Sequence, residues 1–394
     1  MIKAKRVSIF FLIFIFLYPI SLSAKNPLKE KWVQTAIQRS EEQLSAAIVQ
    51  FRDSNKTPRT FENGKIVLVS YKDWTSGFFP GSLWYIYELT GNKKFEKAAE
   101  HFTTLLNKAQ YRTDTHDLGF ILNCSYGNAY RITKNTDYKT VLINGANSLM
   151  KRYHPKVGCI KSWDFGNWQY PVIIDNMMNL EFLMNVGKMT DNQPMINAAI
   201  SHADKTMKNH FRSDFSCFHV VDYDTLTGKV IKKQTHQGFN DSSSWARGQS
   251  WALYGFTMMF RETGKVEYLH QAEKIASFLL NHPRLPKDKI PYWDFDAPNI
   301  PFEPRDASAA AIMASALIEL STFVKDKPEY FETATIILKN LSSDKYLSKK
   351  GKNGFFILKH STGNYPAKSE IDVPLSYADY YYLEALKRYM EVNI

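Results

Sequence analysis

One repeated sequence pattern restricts the fold of this chain more than any other feature of its sequence. An apolar segment, usually opened by Gly or Asp, is followed by a short polar turn, an aromatic residue and an amphipathic helix pattern containing Ala. Five copies are complete, and their apolar segments are 77–90, 117–133, 175–190, 247–263 and 306–323. The pattern predicts stacked helix pairs, with few strands.

A sixth copy is divided between the two ends of the chain. Its apolar half is 376–390, and its amphipathic half, 26–51, has no apolar partner before it. Pairing the ends closes a ring of six apolar inner helices and six amphipathic outer helices, an all-α (α/α)6 toroid or six-hairpin barrel. An open solenoid of helix pairs would give the same local pattern, so closure is inferred from the count and from the divided copy.

The first 24 residues differ in character from the rest. Lys3, Lys5 and Arg6 precede the apolar run 7–17, and small residues follow at 21–24. This order is typical of a signal peptide, and the run is short for a membrane anchor and has no Cys after it to accept a lipid. We therefore predict cleavage of 1–24 and export to the periplasm or the medium, with no membrane attachment afterwards.

The remaining residues, 25–394, are predicted to form one domain, the toroid. No Gly/Ser linker or low-complexity tract divides them, and a hydrophobic content of 44% is that of a globular protein. The three cysteines, Cys124, Cys159 and Cys217, lack metal-ligand spacing. Cys124 is expected in the core, and a disulfide between two of the three is compatible with export.

Aromatic content and charge indicate the kind of partner. The chain has 8 Trp, 22 Tyr and 26 Phe, many beside Gly, Asp, His or Arg, as in clefts where ring faces stack on sugars. The formal net charge is +11, of which the leader supplies three, and this balance suits a polyanionic partner. Basic tails typical of nucleic-acid binding are absent from the sequence.

The connections that enter the apolar helices carry the unusual residues. In a toroid these connections emerge on one face, where loops on a rigid scaffold form a cleft. Trp74 and Trp163 lie in two of them, and Asp117 and Asp175 each open an apolar helix. A helix N-cap would explain either acid alone, but the recurrence favours two carboxylates that face one pocket.

Acid–base chemistry by carboxylates is the chemistry that this pattern supports. Partial burial or a like-charged neighbour would raise the pKa of one acid towards the range of a proton donor. The sequence has no nucleophile elbow, phosphate loop, nicotinamide fingerprint or metal-binding motif.

The block 235–251 is the densest group of candidate binding residues. Trp245, Arg247 and Trp251 lie near a helix start and could offer two ring faces and a guanidinium fork to a sugar carboxylate. Trp251 fits helix packing equally well. Further along, Asp306 is interpreted as a helix cap paired with Arg305.

Several blocks, in the same order over nearly the whole mature chain, resemble glycoside hydrolase family 88, the unsaturated glucuronyl hydrolases. These blocks are 74–84, 116–120, 174–177, 235–251, 291–296, 305–309 and 379–381. The resemblance implies an (α/α)6 toroid, in agreement with the count of repeats. It also implies a substrate made by polysaccharide lyases, an oligosaccharide that ends in a 4,5-unsaturated uronic acid.

The family's reaction is hydration of a vinyl ether. By resemblance, Asp175 is the general acid and base that protonates C4 and activates water, and Asp117 is the second carboxylate, which positions the substrate and keeps the pKa of Asp175 high. The resemblance also assigns seven residues to the subsite of the unsaturated sugar: Trp74, Trp163, His219, Gln237, Trp245, Arg247 and Trp251. It implies no metal or organic cofactor.

The identity of the substrate stays open at this stage. The basic charge favours fragments of heparin, heparan or chondroitin, and residues 359–364 are expected near the adjoining sugar unless they form an ordinary loop. Three alternatives are a family 105 hydrolase acting on unsaturated pectin fragments, an exported glycan-binding protein without activity, and a conventional two-carboxylate glucanase on the same toroid.

Overall fold

The computed structural model describes residues 30–392. The predicted signal peptide and the first residues of the predicted N-terminal helix lie outside this range and stay predictions. Within it, no helix combines the length and apolar character needed to cross a bilayer.

Twelve helices account for most of residues 30–392, and the inner ones start within two residues of their predicted positions. In chain order they are α1 (Lys31–Phe51), α2 (Phe78–Thr90), α3 (Lys93–Thr104), α4 (Gly119–Gly127 and Asn128–Thr133), α5 (Thr136–Met150), α6 (Asn176–Met189), α7 (Gln193–Asn209), α8 (Ala246–Thr263), α9 (Val266–Asn281), α10 (Ala307–Phe323), α11 (Glu329–Leu341) and α12 (Ser376–Val392). Short 3-10 turns occupy Asn107–Tyr111 and Asn353–Phe355.

The even-numbered helices form a closed inner ring. Each contacts the next along the chain, and α12 contacts α2. At that seam, Gly81 of α2 lets the helices approach closely, because a Cβ atom there would lie 2.4 Å from the ring of Tyr380. The odd-numbered helices pack outside, and Trp32 of α1 meets Tyr389 of α12 at 5.2 Å. The predicted toroid is confirmed, and an open solenoid is excluded.

Burial follows from the sequence pattern of each ring. The inner helix α10 is buried from Ala307 to Ile318, because it is apolar on all sides. The outer helix α3 buries Phe95, Ala98, Ala99 and Phe102, which recur at helical spacing on one face.

Left-handed glycines end two of the inner helices. Gly91 and Gly264 follow α2 and α8 with φ values of 68° and 69°, and each donates its N–H back into the last turn. Glycine adopts this conformation without the steric penalty of a Cβ atom. The Thr-Gly pairs seen in the sequence are therefore the turns that reverse the chain into the next outer helix.

Between residues 30 and 392, nine short strands lie in the connections and were not predicted individually. All their pairings are antiparallel, and one sheet has three strands, Pro171–Ile173, Val220–Tyr223 and Val230–Gln234, in that order. The strands are β1 (Thr57–Glu62), β2 (Lys65–Val69), β3 (Tyr153–His154), β4 (Cys159–Ile160), β5 (Pro171–Ile173), β6 (Val220–Tyr223), β7 (Val230–Gln234), β8 (Ser361–Asn364) and β9 (Ser369–Val373). They belong to connections that lead into inner helices.

The N-terminal part of α4 departs from regular helix geometry. Gly119–Gly127 is π-helical, with the α-helical Asn128–Thr133 continuing from it. π-Helical segments are rare and concentrate at functional sites. The three cysteines all lie in the described range, where each is buried and free of any disulfide.

Candidate active site

A cavity of about 520 Å³ opens on the face where the inner helices begin. Asp117 and Asp175 both line it. So do four of the residues that the resemblance assigns to the sugar subsite: Trp74, Trp163, Gln237 and Arg247. The cavity is therefore built from connections that are remote in sequence, as a toroid requires.

Asp175 occupies the N-cap position of α6, but its carboxyl group does not cap the helix. Its side chain makes no capping hydrogen bond within the described chain. It is 8% exposed, and Oδ2 has no hydrogen-bond partner among the described residues. A cap would be expected to bond an orphan N–H at the helix start. The capping interpretation of this acid thus fails, and the carboxyl group is available to a ligand.

Burial raises the pKa of Asp175 to about 7. Desolvation is the largest cause, because a carboxylate loses its hydration in this position. Arg247 lowers the pKa, whereas the negative charge of Asp117 raises it. The second acid therefore acts in the expected direction, but burial contributes more.

Asp117 is held in place by its two preceding residues. Thr115 Oγ1 donates to Asp117 Oδ2 at 2.7 Å, and His116 Nε2 lies 3.2 Å from Oδ1. His116 is buried, and burial lowers its pKa, so its imidazole is neutral at pH 7. The carboxylate of Asp117 is partly exposed and fixed in orientation.

His219 faces Asp175 in a defined tautomer. Its Nδ1 accepts the backbone N–H groups of His236 at 3.0 Å and Gln237 at 3.1 Å. The ring proton is therefore on Nε2, which lies 3.6 Å from Asp175 Oδ2. Burial lowers the pKa of His219 well below its ordinary value, so a neutral ring adjoins the acid and does not draw off its proton.

Arg247 is buried, and part of its guanidinium group is bound by the protein. Nη1 donates to Asp306 Oδ2 at 2.9 Å and to the carbonyl of Thr362 at 2.5 Å, and Nη2 donates to the carbonyl of Gly363 at 2.6 Å. Nε has no partner among residues 30–392. Of five N–H donors, three are used by these bonds, and Nε–H and one Nη2–H have no partner among the described residues.

The predicted ion pair between Arg305 and Asp306 is wrong. Asp306 does cap α10, since its Oδ1 accepts the N–H of Ser308 at 3.0 Å, but its other oxygen pairs with Arg247. Arg305 pairs instead with Asp288 at 3.0 Å. Asp306 thus caps α10 and also binds Arg247, one of the arginines that line the cavity.

The tryptophans of the dense block are buried behind the cavity wall. Trp245 is 3% exposed, and its ring lies 4.6 Å from both the guanidinium carbon of Arg247 and the ring of His219. Trp251 is fully buried against Phe120. Protein groups adjoin these rings, so the prediction that they offer two stacking faces to a sugar is corrected, and they support cavity residues instead.

Several residues of the cavity wall were not identified from the sequence. Arg59 of β1 donates to Glu370 of β9 at 2.6 and 2.8 Å and to Asp73 at 2.8 Å. Phe165 stacks on Trp163 with ring centres 4.9 Å apart. The β1–β2 hairpin that carries Arg59 could have been found from its Asn63-Gly64 turn, where both residues have positive φ. Phe165 belongs to the same aromatic loop as Trp163.

Residues 359–364 divide between the cavity and the surface. Gly363 and Asn364 line the cavity. Lys359 donates to the carbonyl of Asp344 at 2.7 Å, and His360 contacts Asp372 at 2.7 Å. This connection therefore reaches the site through β8, and its two basic residues bind protein groups.

The cavity itself is not strongly basic. Its charged lining is Arg59, Arg112 and Arg247 against Asp114, Asp117, Asp164, Asp175 and Glu370. The positive balance of the whole chain therefore lies mainly elsewhere and is weak support for a sulfated substrate. Within the described residues, no group of three His, Cys, Asp or Glu is placed to hold a metal ion.

Together these features define a class of protein: an (α/α)6 toroid with a cavity that holds two carboxyl groups and a guanidinium group at one face, as in glycoside hydrolases of this fold. The profile of Glycosyl Hydrolase Family 88 matches residues 51–391, and the chain belongs to this family. It is 49% identical over 340 residues to the unsaturated glucuronyl hydrolase of Formosa agariphila, covering 85% of each chain. Identity to the unsaturated chondroitin disaccharide hydrolase of Streptococcus agalactiae is 32% over 366 residues, or 91% of each.

Solved structures agree with this assignment. A crystal structure of an unsaturated glucuronyl hydrolase specific for heparin superimposes with a TM-score of 0.90 at 54% identity, covering 92% of this chain and 97% of that one. The unsaturated glucuronyl hydrolase of Bacillus sp. GL1 gives a TM-score of 0.85 at 30% identity, over 90% and 96%.

Proposed function

We propose that this enzyme removes the 4,5-unsaturated uronic acid from the non-reducing end of oligosaccharides made by polysaccharide lyases. The observation that carries the proposal is Asp175, a buried carboxyl group with no hydrogen-bond partner on Oδ2 in the described chain and a pKa raised to about 7, in one cavity with Asp117 and Arg247. A group of this pKa can both donate and accept a proton near neutral pH.

The reaction begins with proton transfer from the Asp175 carboxyl group to C4 of the vinyl ether. Water then adds at C5 and gives its proton to the Asp175 carboxylate, which restores the acid. The resulting hemiketal opens by cleavage of its bond to the ring oxygen, and the hemiacetal left at C1 releases the adjoining sugar. The distance rule for carboxyl pairs that attack the anomeric carbon does not apply to this chemistry.

The other groups of the cavity bind and orient the sugar. Arg247 has Nε–H and one Nη2–H left for the uronate carboxylate. Asp117, held by Thr115 and His116, is an acceptor for a sugar hydroxyl. Trp74 and Trp163 supply aromatic surface in the cavity wall.

Heparin and heparan fragments are the proposed substrates. The solved structure that is 54% identical to this chain is described as specific for heparin, whereas the Streptococcus agalactiae chondroitin disaccharide hydrolase is 32% identical. The test follows loss of ultraviolet absorbance from unsaturated disaccharides of heparin, chondroitin and pectin. Faster loss with heparin disaccharides is expected. Faster loss with chondroitin or pectin disaccharides contradicts the substrate proposal, and no loss with any of them contradicts the reaction.

The rate is expected to fall as pH rises through about 7. Asp175 must be protonated to act first as an acid, and its pKa is raised to about 7, so kcat/KM is high below this pH and declines above it. A pH profile of kcat/KM measures the alkaline limb. Asp379 is a matched control, because burial raises its pKa to about 7 while it accepts the N–H groups of Ile357 and Leu358. Asp379→Asn should leave the limb in place, and a wild-type profile without this limb would contradict the role of Asp175.

We also propose that the enzyme is exported after cleavage of residues 1–24. The support is the basic, apolar and small-residue order of this segment. N-terminal sequencing of the protein recovered outside the cytoplasm is expected to begin at Lys25. Recovery of the full chain from the cytoplasm alone would contradict export.

A further inference from the structure

A buried asparagine joins the two helices that carry the acids. Asn179 lies one turn after Asp175 on α6, so the two side chains share a helix face. It is fully buried, and its Oδ1 accepts the backbone N–H of Phe120 at 3.1 Å. Phe120 is three residues after Asp117 and lies in the first turn of α4. One side chain thus connects α6 to the start of α4, close in sequence to both carboxyl groups.

The two helices are also in close steric contact at this point. A Cβ atom on Gly119 would lie 2.5 Å from Asn179 Oδ1 and 2.7 Å from Asn179 Cα. Separations below 3.0 Å do not occur for real Cβ atoms, so glycine is needed for this approach. The hydrogen bond from Phe120 to Asn179 and the lack of a Cβ atom at Gly119 therefore both fix the distance between α4 and α6.

The start of α4, at Gly119, has backbone N–H groups that need acceptors from outside the helix. The first N–H groups of a helix lack partners within it, and Asn179 supplies an acceptor for one of them from the neighbouring helix. The amide Nδ2 of Asn179 has no partner among the described residues. A buried donor without a partner costs about 1–3 kcal/mol, so an asparagine here is not explained by stability alone.

We propose that Asn179 is a positioning residue, which sets the distance and orientation between the carboxyl groups of Asp117 and Asp175 by holding the Phe120 N–H against α6. This inference rests on the proposed roles of the two acids. Asn179 does not line the cavity, so it acts through the helix start and not through contact with the sugar.

The charged and titratable groups around Asp175 determine what a change at Asn179 does. Asp117 faces it from the residues just before α4, His219 and Cys217 from the connection before β6, and Arg247 from α8. The same cavity also holds Arg59, Arg112, Asp114, Asp164, His236 and Glu370. Among the interactions that set the pKa of Asp175, the repulsion from Asp117 depends on the spacing of α4 and α6. If the start of α4 moves away, this repulsion weakens and the pKa of Asp175 falls.

The test measures the titration of Asp175 directly and through the reaction. Asn179→Leu keeps a similar volume but removes the acceptor. The alkaline limb of kcat/KM is expected to move to lower pH by at least about half a unit. Carboxyl carbon NMR with labelled Asp, assigned through Asp175→Asn, should show the same shift without substrate. In that measurement Asp117→Asn removes the whole repulsion, so its shift is the reference for the contribution of Asp117.

Three further variants separate positioning from a purely structural role. Gly119→Ala forces the helices apart and should shift the Asp175 titration downward as well, which keeps the proposal testable if Asn179→Leu does not fold. Asn179→Asp retains an oxygen acceptor and should leave the titration at or above its wild-type position. Asn128→Leu is the matched control. Asn128 is a buried asparagine of α4 that donates to the carbonyl of Cys124 at 2.9 Å, and its loss should lower stability without moving the titration.

The outcomes are distinct. A downward shift in each of Asn179→Leu and Gly119→Ala that folds, absent from Asn128→Leu, supports the positioning role. An unmoved titration in a folded Asn179→Leu or Gly119→Ala variant overturns it. If the wild type acts on no unsaturated disaccharide, the proposed function fails, but the NMR titration still decides whether Asn179 sets the spacing of the acids.

Discussion

Asp175→Asn is expected to lower kcat by at least about a hundredfold while KM changes little, because the amide cannot give a proton to C4 or take one from water. The fold should survive the change. The carboxyl group is buried, Oδ2 has no partner among residues 30–392, and its pKa is raised from 3.8 to about 7. Stability is therefore lost as pH rises from about 4 to about 7, and it stays lower above that range. A neutral side chain of the same shape should therefore make the protein more resistant to denaturant at pH 8.

Steady-state kinetics and denaturant titration at pH 6 and pH 8 test both parts of this expectation. Asp379→Asn serves as the control, since Asp379 is another buried acid with a pKa near 7 but accepts backbone N–H groups away from the cavity. A kcat for Asp175→Asn within about tenfold of the wild type would remove Asp175 from the chemistry, because general acid–base groups contribute more than that.

Arg247→Met is expected to lower the free energy of unfolding by about 3–5 kcal/mol, the usual result of removing one partner of a buried ion pair. Asp306 is fully buried and would lose its cation, and the carbonyl groups of Thr362 and Gly363 would lose their donors. The variant should also raise KM, because the guanidinium edge proposed for the uronate is lost. Chemical denaturation and steady-state kinetics measure the two effects.

A double variant identifies the cause of the lost stability. Arg247→Met with Asp306→Asn removes the uncompensated charge while the asparagine can still cap Ser308, so part of the stability should return. Arg52→Met is the matched control, because Arg52 pairs with Asp53 on the surface with both side chains more than two-thirds exposed; its effect should be below about 1 kcal/mol. A double variant no more stable than the single one would show that packing, and not the unpaired charge, dominates.

The fold could be predicted because its evidence is periodic and repeated. Apolar segments such as 306–323 differ clearly from amphipathic ones, and Gly91 and Gly264 mark the turns between them. Closure needed the divided sixth copy, and contact between α12 and α2 confirms it. Several strands have only two or three residues and show no period, but the β1–β2 hairpin has a local signal, its Asn63-Gly64 turn, that was not used. The π-helical turns of α4 leave no pattern in the sequence.

The site was less accessible to sequence reasoning for a similar reason. Asp175 and Asp117 attract attention because an acid at an apolar helix is locally unusual, but their shared cavity is a property of the ring. The partner of Asp306 was misassigned to its neighbour Arg305, since the true partner is 59 positions away. His219 has no local signal and was found only through the family resemblance. Trp245 and Trp251 were placed near the site correctly, but only burial distinguishes a supporting ring from a stacking surface.

The seam between α2 and α12 has a consequence for how the molecule is made. Tyr85 of α2 donates to Glu384 of α12 at 2.9 Å across 299 residues of chain. During synthesis, α2 leaves the ribosome long before α12 has been made. The surface of α2 that contacts α12 therefore stays unpaired for most of translation. Because α12 also supplies Tyr377 to the cavity wall, the catalytic cavity cannot be completed by any nascent fragment that lacks this helix. Activity therefore appears only after α12 has been translated and has docked against α2. Folding of this enzyme thus depends on contacts of very high sequence separation.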